Sequence, residues 1–391
     1  MSLYEREKAL DTWIAEKIGL GQKSPLTRKA LEEYQLIKLR ETIEWAKKNS
    51  RFYEKLLIDI EPEDILELKD IEKLPFTTVE DLREKGLEML CVSQNEISRI
   101  VTLDTSGSTG KPKRIYYTKE DQELTVDYFH HGMKNLVDET DVVLILLPFE
   151  RPGSVGDLLK SGLERLGAKC VTYGLLKRDC EDAFDVLKLM LEKGVTSIVG
   201  APGQVLALAE ASVSLSENTA KNLTMSPAES IYKFHAQSQP NRPYKSPSMQ
   251  EKTGGSHEEI KELMRTVLLS TEFIPESTVR FIEEAWGIRV FEHYGMTEMG
   301  LGGAVSCWVL EGYHPREADL YFEIINPETG ETVPEGQYGE VVFTTLTRKA
   351  MPFIRYRTGD ISRWLSSPCA CGSALKRLDK VGDRNVPKNR G

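Results

Sequence analysis

The sequence predicts an α/β fold: mainly parallel sheets with flanking helices, a helical N-terminal region in front and a smaller β subdomain behind. Three observations predict it. Short apolar runs alternate with amphipathic stretches between residues 96 and 210 and again between 266 and 295, which indicates parallel strands covered on both faces. Residues 26–49 space their apolar positions by three and four, as one buried helix face requires. After residue 315 the pattern changes to alternating residues broken by turn signals, which reads as antiparallel strands.

In chain order, Leu36, Leu39, Ile43 and Ala46 mark the first of these helices, and Asn49-Ser50 ends it and starts another. Thr78 is placed to cap a short helix with an acidic first turn, so residues 1–95 read as mainly helical. "ISRIVTLD" and "RIYYT" read as two strands joined by a polar loop. "VVLILLPF", "KCVTYGLL" and "VTSIVGAP" follow as strands, with "VGDLLKSGLERLGA" and "CEDAFDVLKLMLEKG" as the helices between them. "TVLLSTEFIP", "ESTVRFIEEAWG" and "IRVFEHYG" repeat the pattern, and both stretches are assigned to one sheet within a core of residues 96–365. Between them, 212–259 is rich in Ser, Asn, Gln, Pro and Lys with almost no apolar periodicity. Such a segment cannot bury enough surface to fold alone, so it reads as a mostly disordered insertion. "NLT" at Asn222 matches a glycosylation acceptor, by chance if the chain is cytoplasmic. "DLYFEIINPETGETVPEGQYGEVVFTTL" and "IRYRTGDISRWL" form a β-rich subdomain over 315–365, and 366–391 is a cysteine-containing end with a hinge-like tail.

Bulk properties exclude some partners. A net charge of −10 argues against a general binder of nucleic acid or anionic membranes, which need a concentrated cationic surface. The N-terminus carries charges where a secretory signal needs its apolar stretch, and the run Val142–Phe149 is too short to span a bilayer. The expected location is the cytoplasm. There, clustered cysteines among the six in the chain bind metal more often than they form disulfides.

The loop "TSGSTGKPKR" is the densest chemical signal. It is not the phosphate loop of a P-loop nucleoside triphosphatase, because Thr105 stands at the first glycine position and Pro112 turns Lys111 away from opening a helix. Gly107 and Gly110 let backbone amides approach an anion; Ser106, Ser108 and Thr109 offer neutral donors; Lys111, Lys113 and Arg114 offer charge. An ordinary solvated hairpin loop has the same composition, so the loop alone leaves both readings open.

"TSGSTGKPK" (105–113), "EHYGMTEMG" (292–300) and "RYRTGD" (355–360), in that order, resemble the core motifs of the adenylate-forming superfamily of acyl-CoA synthetases. "LRETIEWAKKNSRFYEKLL", "LPFTTVEDLRE" and "GEVVFTTLTRKAMPFIRYRTGD" are similar to its phenylacetate-CoA ligase branch. The resemblance implies the large N-terminal domain of such an enzyme, an acid-thiol ligase that uses ATP, Mg²⁺ and coenzyme A and releases AMP. An aryl acid is the expected substrate, and a homodimer is allowed.

It implies roles residue by residue. Thr105, Ser106, Gly107, Ser108, Thr109, Gly110 and Lys111 would close over the β- and γ-phosphates. Glu298 would hold Mg²⁺, which prefers carboxylate and phosphate oxygen, and Thr297 would donate to the α-phosphate. Tyr294 would pack against the adenine, with Gly295 and Met296 as further nucleotide-binding residues; Ser270, Thr271 and Glu272 would touch its edge; Asp360 would accept both ribose hydroxyls. Phe149, Pro202 and Gly203 fall near the expected acid pocket, although core residues at strand ends would look the same. Glu298 as a surface carboxylate and Asp360 as a turn residue are the plainer readings of those two positions.

Cys307, His314, Cys369 and Cys371 supply four N/S donors, the usual complement of a closed structural zinc site; the alternative is scattered thiols and a surface histidine. Family members continue into a small C-terminal domain carrying a further lysine, whereas this sequence ends at "VPKNRG", so the expectation is a chain lacking that domain. Three functions follow: an acyl-CoA ligase, an adenylating enzyme that passes its product to something other than coenzyme A, as deazaflavin-adenylating synthetases do, or a zinc-stabilised nucleotide-binding protein without turnover.

Overall fold

The computed structural model describes residues 8–21, 24–103, 111–176, 179–220 and 257–382. It opens with α1 (Ala9–Lys17), α2 (Arg28–Asn49), α3 (Arg51–Leu56) and α4 (Val79–Lys85). Ser50 ends α2 and caps α3, its side chain accepting from the Tyr53 amide. Thr78 caps α4 in a reciprocal box with Asp81. The strands β1 (Arg99–Leu103) and β2 (Lys113–Tyr117) then pair antiparallel with Leu103 opposite Lys113, so the polar loop leaves and rejoins the hairpin at one place. Residues 104–110, with the loop positions Thr105 to Gly110, lie outside the described residues.

Helix α5 (Lys119–Met133), capped by Thr118 and Asp121, has no counterpart in the sequence reading. The main sheet follows: β3 (Val142–Leu146), α6 (Val155–Leu166), β4 (Lys169–Thr172), α7 (Asp179–Lys193), β5 (Ser197–Gly200), α8 (Pro202–Ala220), α9 (His257–Leu263), β6 (Thr266–Leu269), α10 (Glu276–Trp286) and β7 (Arg289–Tyr294). Strand order is β4-β3-β5-β6-β7, all parallel, so the two stretches do build one sheet. Two strands absent from the sequence reading, β8 (Ala304–Val305) and β9 (His314–Pro315), extend it antiparallel.

Each apolar strand has two dry faces because its side chains alternate. Val143, Ile145, Val199, Leu268 and Phe291 pack with Trp13, Phe129 and Leu163 of α1, α5 and α6. Leu144, Leu146, Ile198, Val267, Leu269 and Val290 pack on the other side with Val186, Val205, Ile260 and Ile282 of α7 to α10. The chain leaves β3 toward β4 on one side and returns to β5 on the other. The carboxyl ends of β3 and β5 thus flank the switch point where ligands of such sheets bind.

The bounds of the 212–259 insertion need correction at both ends. Helix α8 runs through Ser212, and α9 begins at His257. Ser212 is fully buried; it shares a hydrogen bond of 2.8 Å with His257 Nδ1 and accepts one of 3.2 Å from Trp286 Nε1. Polar residues can pack when they satisfy one another, which a count of apolar positions misses. Residues 221–256 lie outside the described residues. Ser212→Ala is expected to cost about 1–3 kcal/mol, since it leaves buried donors without an acceptor. An unchanged urea midpoint would show that this triad contributes nothing.

The chain closes with a separate antiparallel sheet, β10 (Leu320–Ile325), β11 (Gly339–Thr345) and β12 (Tyr356–Ser362). It packs against the N-terminal helices rather than standing apart: Leu39, Ile43, Tyr53 and Leu82 share one core with Phe322, Phe343 and Tyr356. Tyr53 Oη donates to the Pro352 carbonyl at 2.9 Å, and Gln35 Nε2 to the Glu317 carbonyl at 2.8 Å.

Candidate active site

The short turn Thr297–Met299 after β7 is where three parts of the chain meet. Glu298 is 1% exposed. Its Oε1 accepts from Lys113 Nζ at 2.5 Å, at the root of the polar loop, and from Tyr356 Oη of β12 at 3.1 Å. The turn's backbone is fixed from the same directions: Tyr117 Oη donates to the Thr297 carbonyl at 2.5 Å and Arg348 to the Glu298 carbonyl at 2.6 Å. The Arg348 guanidinium also lies over the Tyr117 ring, 4.4 Å from its centroid.

On the neighbouring side, Tyr294 Oη donates to Asp360 Oδ2 at 3.0 Å, which joins the end of β7 to β12. The Tyr294 ring stacks on Tyr313 with centroids 6.4 Å apart. Gly295 is needed where it stands, because a Cβ there would come within 2.8 Å of the Leu301 carbonyl oxygen. Ser270 follows β6, and Thr271 beside it has φ +75, a conformation that costs a β-branched residue of order 1–3 kcal/mol and clusters at ligand sites. Glu272 is exposed. Met296 and Thr297 are half-buried at the lip of the turn, and Lys111 is exposed at the end of the loop.

The structure therefore gathers Glu298, Thr297, Tyr294 and Asp360 and brings the loop's root to them. Phe149 stands just past β3 with its ring against Gly174, while Pro202 and Gly203 open α8 just past β5. The sequence reading missed Tyr117, Arg348 and Tyr356 and gave Lys113 only as one charge among three. Tyr356 and Arg348 both lie inside "GEVVFTTLTRKAMPFIRYRTGD", which was the available signal.

The four metal-type donors also converge. Cys307, His314, Cys369 and Cys371 are all buried, with their ligating atoms within 4.8 Å of one another. Cys307 Sγ lies 3.7 Å from Cys369 Sγ, and Cys371 Sγ 3.3 Å from His314 Nε2. His314 Nδ1 lies 3.1 Å from the Lys376 carbonyl, which accepts its proton and leaves Nε2 facing the thiols, as a ligating histidine requires. Hydrogen bonds from Cys307 and Cys371 push the Cys369 thiol well below its usual range, whereas hydrogen bonds from Cys307 and Cys369, with burial, push Cys371 well above it. Three thiols packed so closely ionise together only around a positive charge. The donor set fits a tetrahedral divalent cation such as zinc.

Among the described residues no helix is long and apolar enough to cross a membrane. The sequence pattern described as AMP-binding enzyme matches residues 37–346. A phenylacetate-coenzyme A ligase of Thermus thermophilus is 27% identical over 362 residues, covering 91% of this chain and 71% of that protein. One from Pseudomonas putida is 28% identical over 363 residues, with the same shares. Among solved structures, a 2-hydroxyisobutyryl-CoA ligase in an open conformation, in complex with 2-HIB-AMP and CoA, superposes with a TM-score of 0.71 at 20% identity. That match covers 91% of this chain and 70% of the other.

Proposed function

This chain belongs to the AMP-binding enzyme family, and from that premise we propose that it uses ATP to activate a carboxylic acid, an aryl acid, and passes the acyl group to coenzyme A. The observation that carries the reading is the meeting of Lys113, Glu298 and the Tyr294–Asp360 pair at the turn after β7. The similarity to phenylacetate-coenzyme A ligases over nine-tenths of the chain supports it.

The acid's carboxylate oxygen attacks the α-phosphorus, pyrophosphate leaves, and the thiol sulfur of coenzyme A then attacks the acyl carbonyl as AMP leaves. Two anions must approach each other in the first step, so the site has to cancel charge and hold both in line. Lys111 and the residues Thr105 to Gly110 take the β- and γ-phosphates, and Thr297 donates to the α-phosphate. Ser270, Thr271, Glu272, Tyr294, Gly295 and Met296 surround the base, and Asp360 accepts from the ribose. Phe149, Pro202 and Gly203 stand at the mouth through which the acid enters. Glu298 would hold Mg²⁺, which neutralises phosphate charge. Lys113, its partner in the free protein, turns to phosphate when nucleotide arrives. Cys307, His314, Cys369 and Cys371 would hold a structural zinc. A cytoplasmic setting fits cysteines 91, 170, 307, 369 and 371, none of which is in a disulfide.

Acid-dependent exchange of labelled pyrophosphate into ATP tests the first step, and acid-dependent consumption of coenzyme A thiol tests the second. Exchange without thiol consumption would retain the adenylation and remove coenzyme A as acceptor. No exchange with any acid would sink the reading. Asp360→Ala is expected to weaken ATP binding on the order of 10- to 100-fold, because two hydrogen bonds to a charged acceptor are lost. Unchanged ATP affinity in an equilibrium titration would remove Asp360 from the ribose.

A further inference from the structure

The stretches of chain that carry the cysteine and histidine donors all meet one residue of β7, Glu292. Ser306, beside Cys307, holds its backbone: the Ser306 hydroxyl accepts from the Glu292 amide at 2.8 Å, and the Ser306 amide donates to the Glu292 carbonyl at 2.9 Å. Tyr313, beside His314, donates its hydroxyl to Glu292 Oε2 at 3.0 Å. Lys380, on the stretch that follows Cys369 and Cys371, donates to Glu292 Oε1. A carboxylate that is only 5% exposed thus takes its donors from the cluster's own segments.

Tyr313 carries that connection further. Its ring stacks on the ring of Tyr294, with the planes 28° apart, and Tyr294 stands two residues beyond Glu292. Burial and the Glu292 carboxylate push the Tyr313 phenol well above its usual range, so it stays protonated and donates. Its backbone is gripped by the other donor segment: the Tyr313 amide donates to the Leu378 carbonyl at 2.8 Å, and the Leu378 amide to the Tyr313 carbonyl at 2.9 Å. The approach is close, because a Cβ at Gly312 would run into that Leu378 carbonyl oxygen. From the donors to the proposed base site the path is His314 to Tyr313 along the chain, then ring to ring to Tyr294. A ring backed on one face keeps its other face ready for a base, which lowers the ordering cost of binding. Without a cation at their centre, the donors of the two segments have no common partner. Tyr313 then loses its hold on Leu378, Glu292 loses Lys380, and Tyr294 loses its backing.

We propose that Tyr313 is a positioning residue for the nucleotide base, acting through Tyr294, and that a metal in the cluster sets nucleotide affinity by holding Tyr313 in place. This deepens the acid-activating reading and rests on it, and on the cluster's binding a metal.

The test is calorimetric binding of AMP to the full chain, with ribose-5-phosphate, which lacks the base, measured by competition and the zinc content of every sample measured by elemental analysis. Tyr313→Leu removes the ring and is expected to weaken AMP binding about three- to tenfold while leaving ribose-5-phosphate within about twofold. Tyr313→Phe keeps the ring and should bind AMP within about twofold of the parent. Stripping zinc from the wild-type chain with a chelator should weaken AMP binding at least as much as Tyr313→Leu does, with ribose-5-phosphate again unmoved, and restored zinc should reverse the loss. The same treatment should cost Tyr313→Leu less than it costs the wild type, since the two changes act on one contact. The zinc arm decides alone if Tyr313→Leu does not fold. Unchanged AMP affinity in Tyr313→Leu, equal losses for both ligands, or wild-type AMP affinity that is independent of zinc overturns this inference while leaving acid activation standing. A wild-type chain that binds no AMP overturns the nucleotide site and this inference with it.

Discussion

Glu298→Gln lowers acid-dependent pyrophosphate exchange by a factor of about 10² to 10³ while ATP binding stays within a few-fold, as expected for loss of a charge aimed at the transition state. Gln keeps the shape and can still accept from Tyr356 Oη, so the turn at 297–299 holds. What goes is the negative charge that faces Lys113 and that, in the proposed role, would hold Mg²⁺. The side chain of Lys113 is 21% exposed and can swing toward solvent, whereas that of Glu298, at 1%, cannot. The variant should therefore fold, and its far-UV spectrum should match the parent's. Equal losses of rate and of ATP affinity would mean that Glu298 holds the nucleotide in the ground state, and the assigned role would be wrong.

A second large effect concerns the cysteine cluster. Purified protein should carry one zinc per chain, and Cys371→Ser should lose it. Structural zinc is worth on the order of 10 kcal/mol in apparent binding free energy, and the donors come from two segments of the chain. Cys307 lies between β8 and β9 and His314 on β9; Cys369 and Cys371 lie on the stretch after β12, which meets the β9 region through the Tyr313–Leu378 bridge. Hydrogen exchange should rise by orders of magnitude over residues 304–316 and 366–382 and much less in β3, β5 and β6. Elemental analysis that finds no zinc in wild-type protein ends this prediction.

Strands were legible where the physics is local and two-sided. "VVLILL" reads as a strand because both faces of β3 are dry, and Thr78 announces α4 because a cap and its box sit within three residues. Helix α5 was illegible for the opposite reason. "KEDQELTVDYFHHGM" hides a buried face behind acids, histidines and a glycine, and Asp121 is buried because it accepts from the Lys349 and Ala350 amides far along the chain. Strands β8 and β9 are two residues each, too short to show any period. At the site, motif positions stood out while the residues that brace them did not. Arg348 becomes informative only once its guanidinium is seen over Tyr117.

The shared core of the first helices and the last sheet has a consequence in time. A ribosome that has made α2 to α4 has produced Leu39, Ile43, Tyr53 and Leu82 but none of the strand residues they pack on in β10 to β12. At roughly 5–20 residues per second, those partners arrive on the order of ten to sixty seconds later. Through that interval the part of their apolar face that packs on β10 to β12 lacks its partners. The parallel sheet finds partners sooner, because β3, β4 and β5 follow one another with only one helix between each pair. Nascent chains should thus gain protease resistance from the middle outward, with the N-terminal segment protected last.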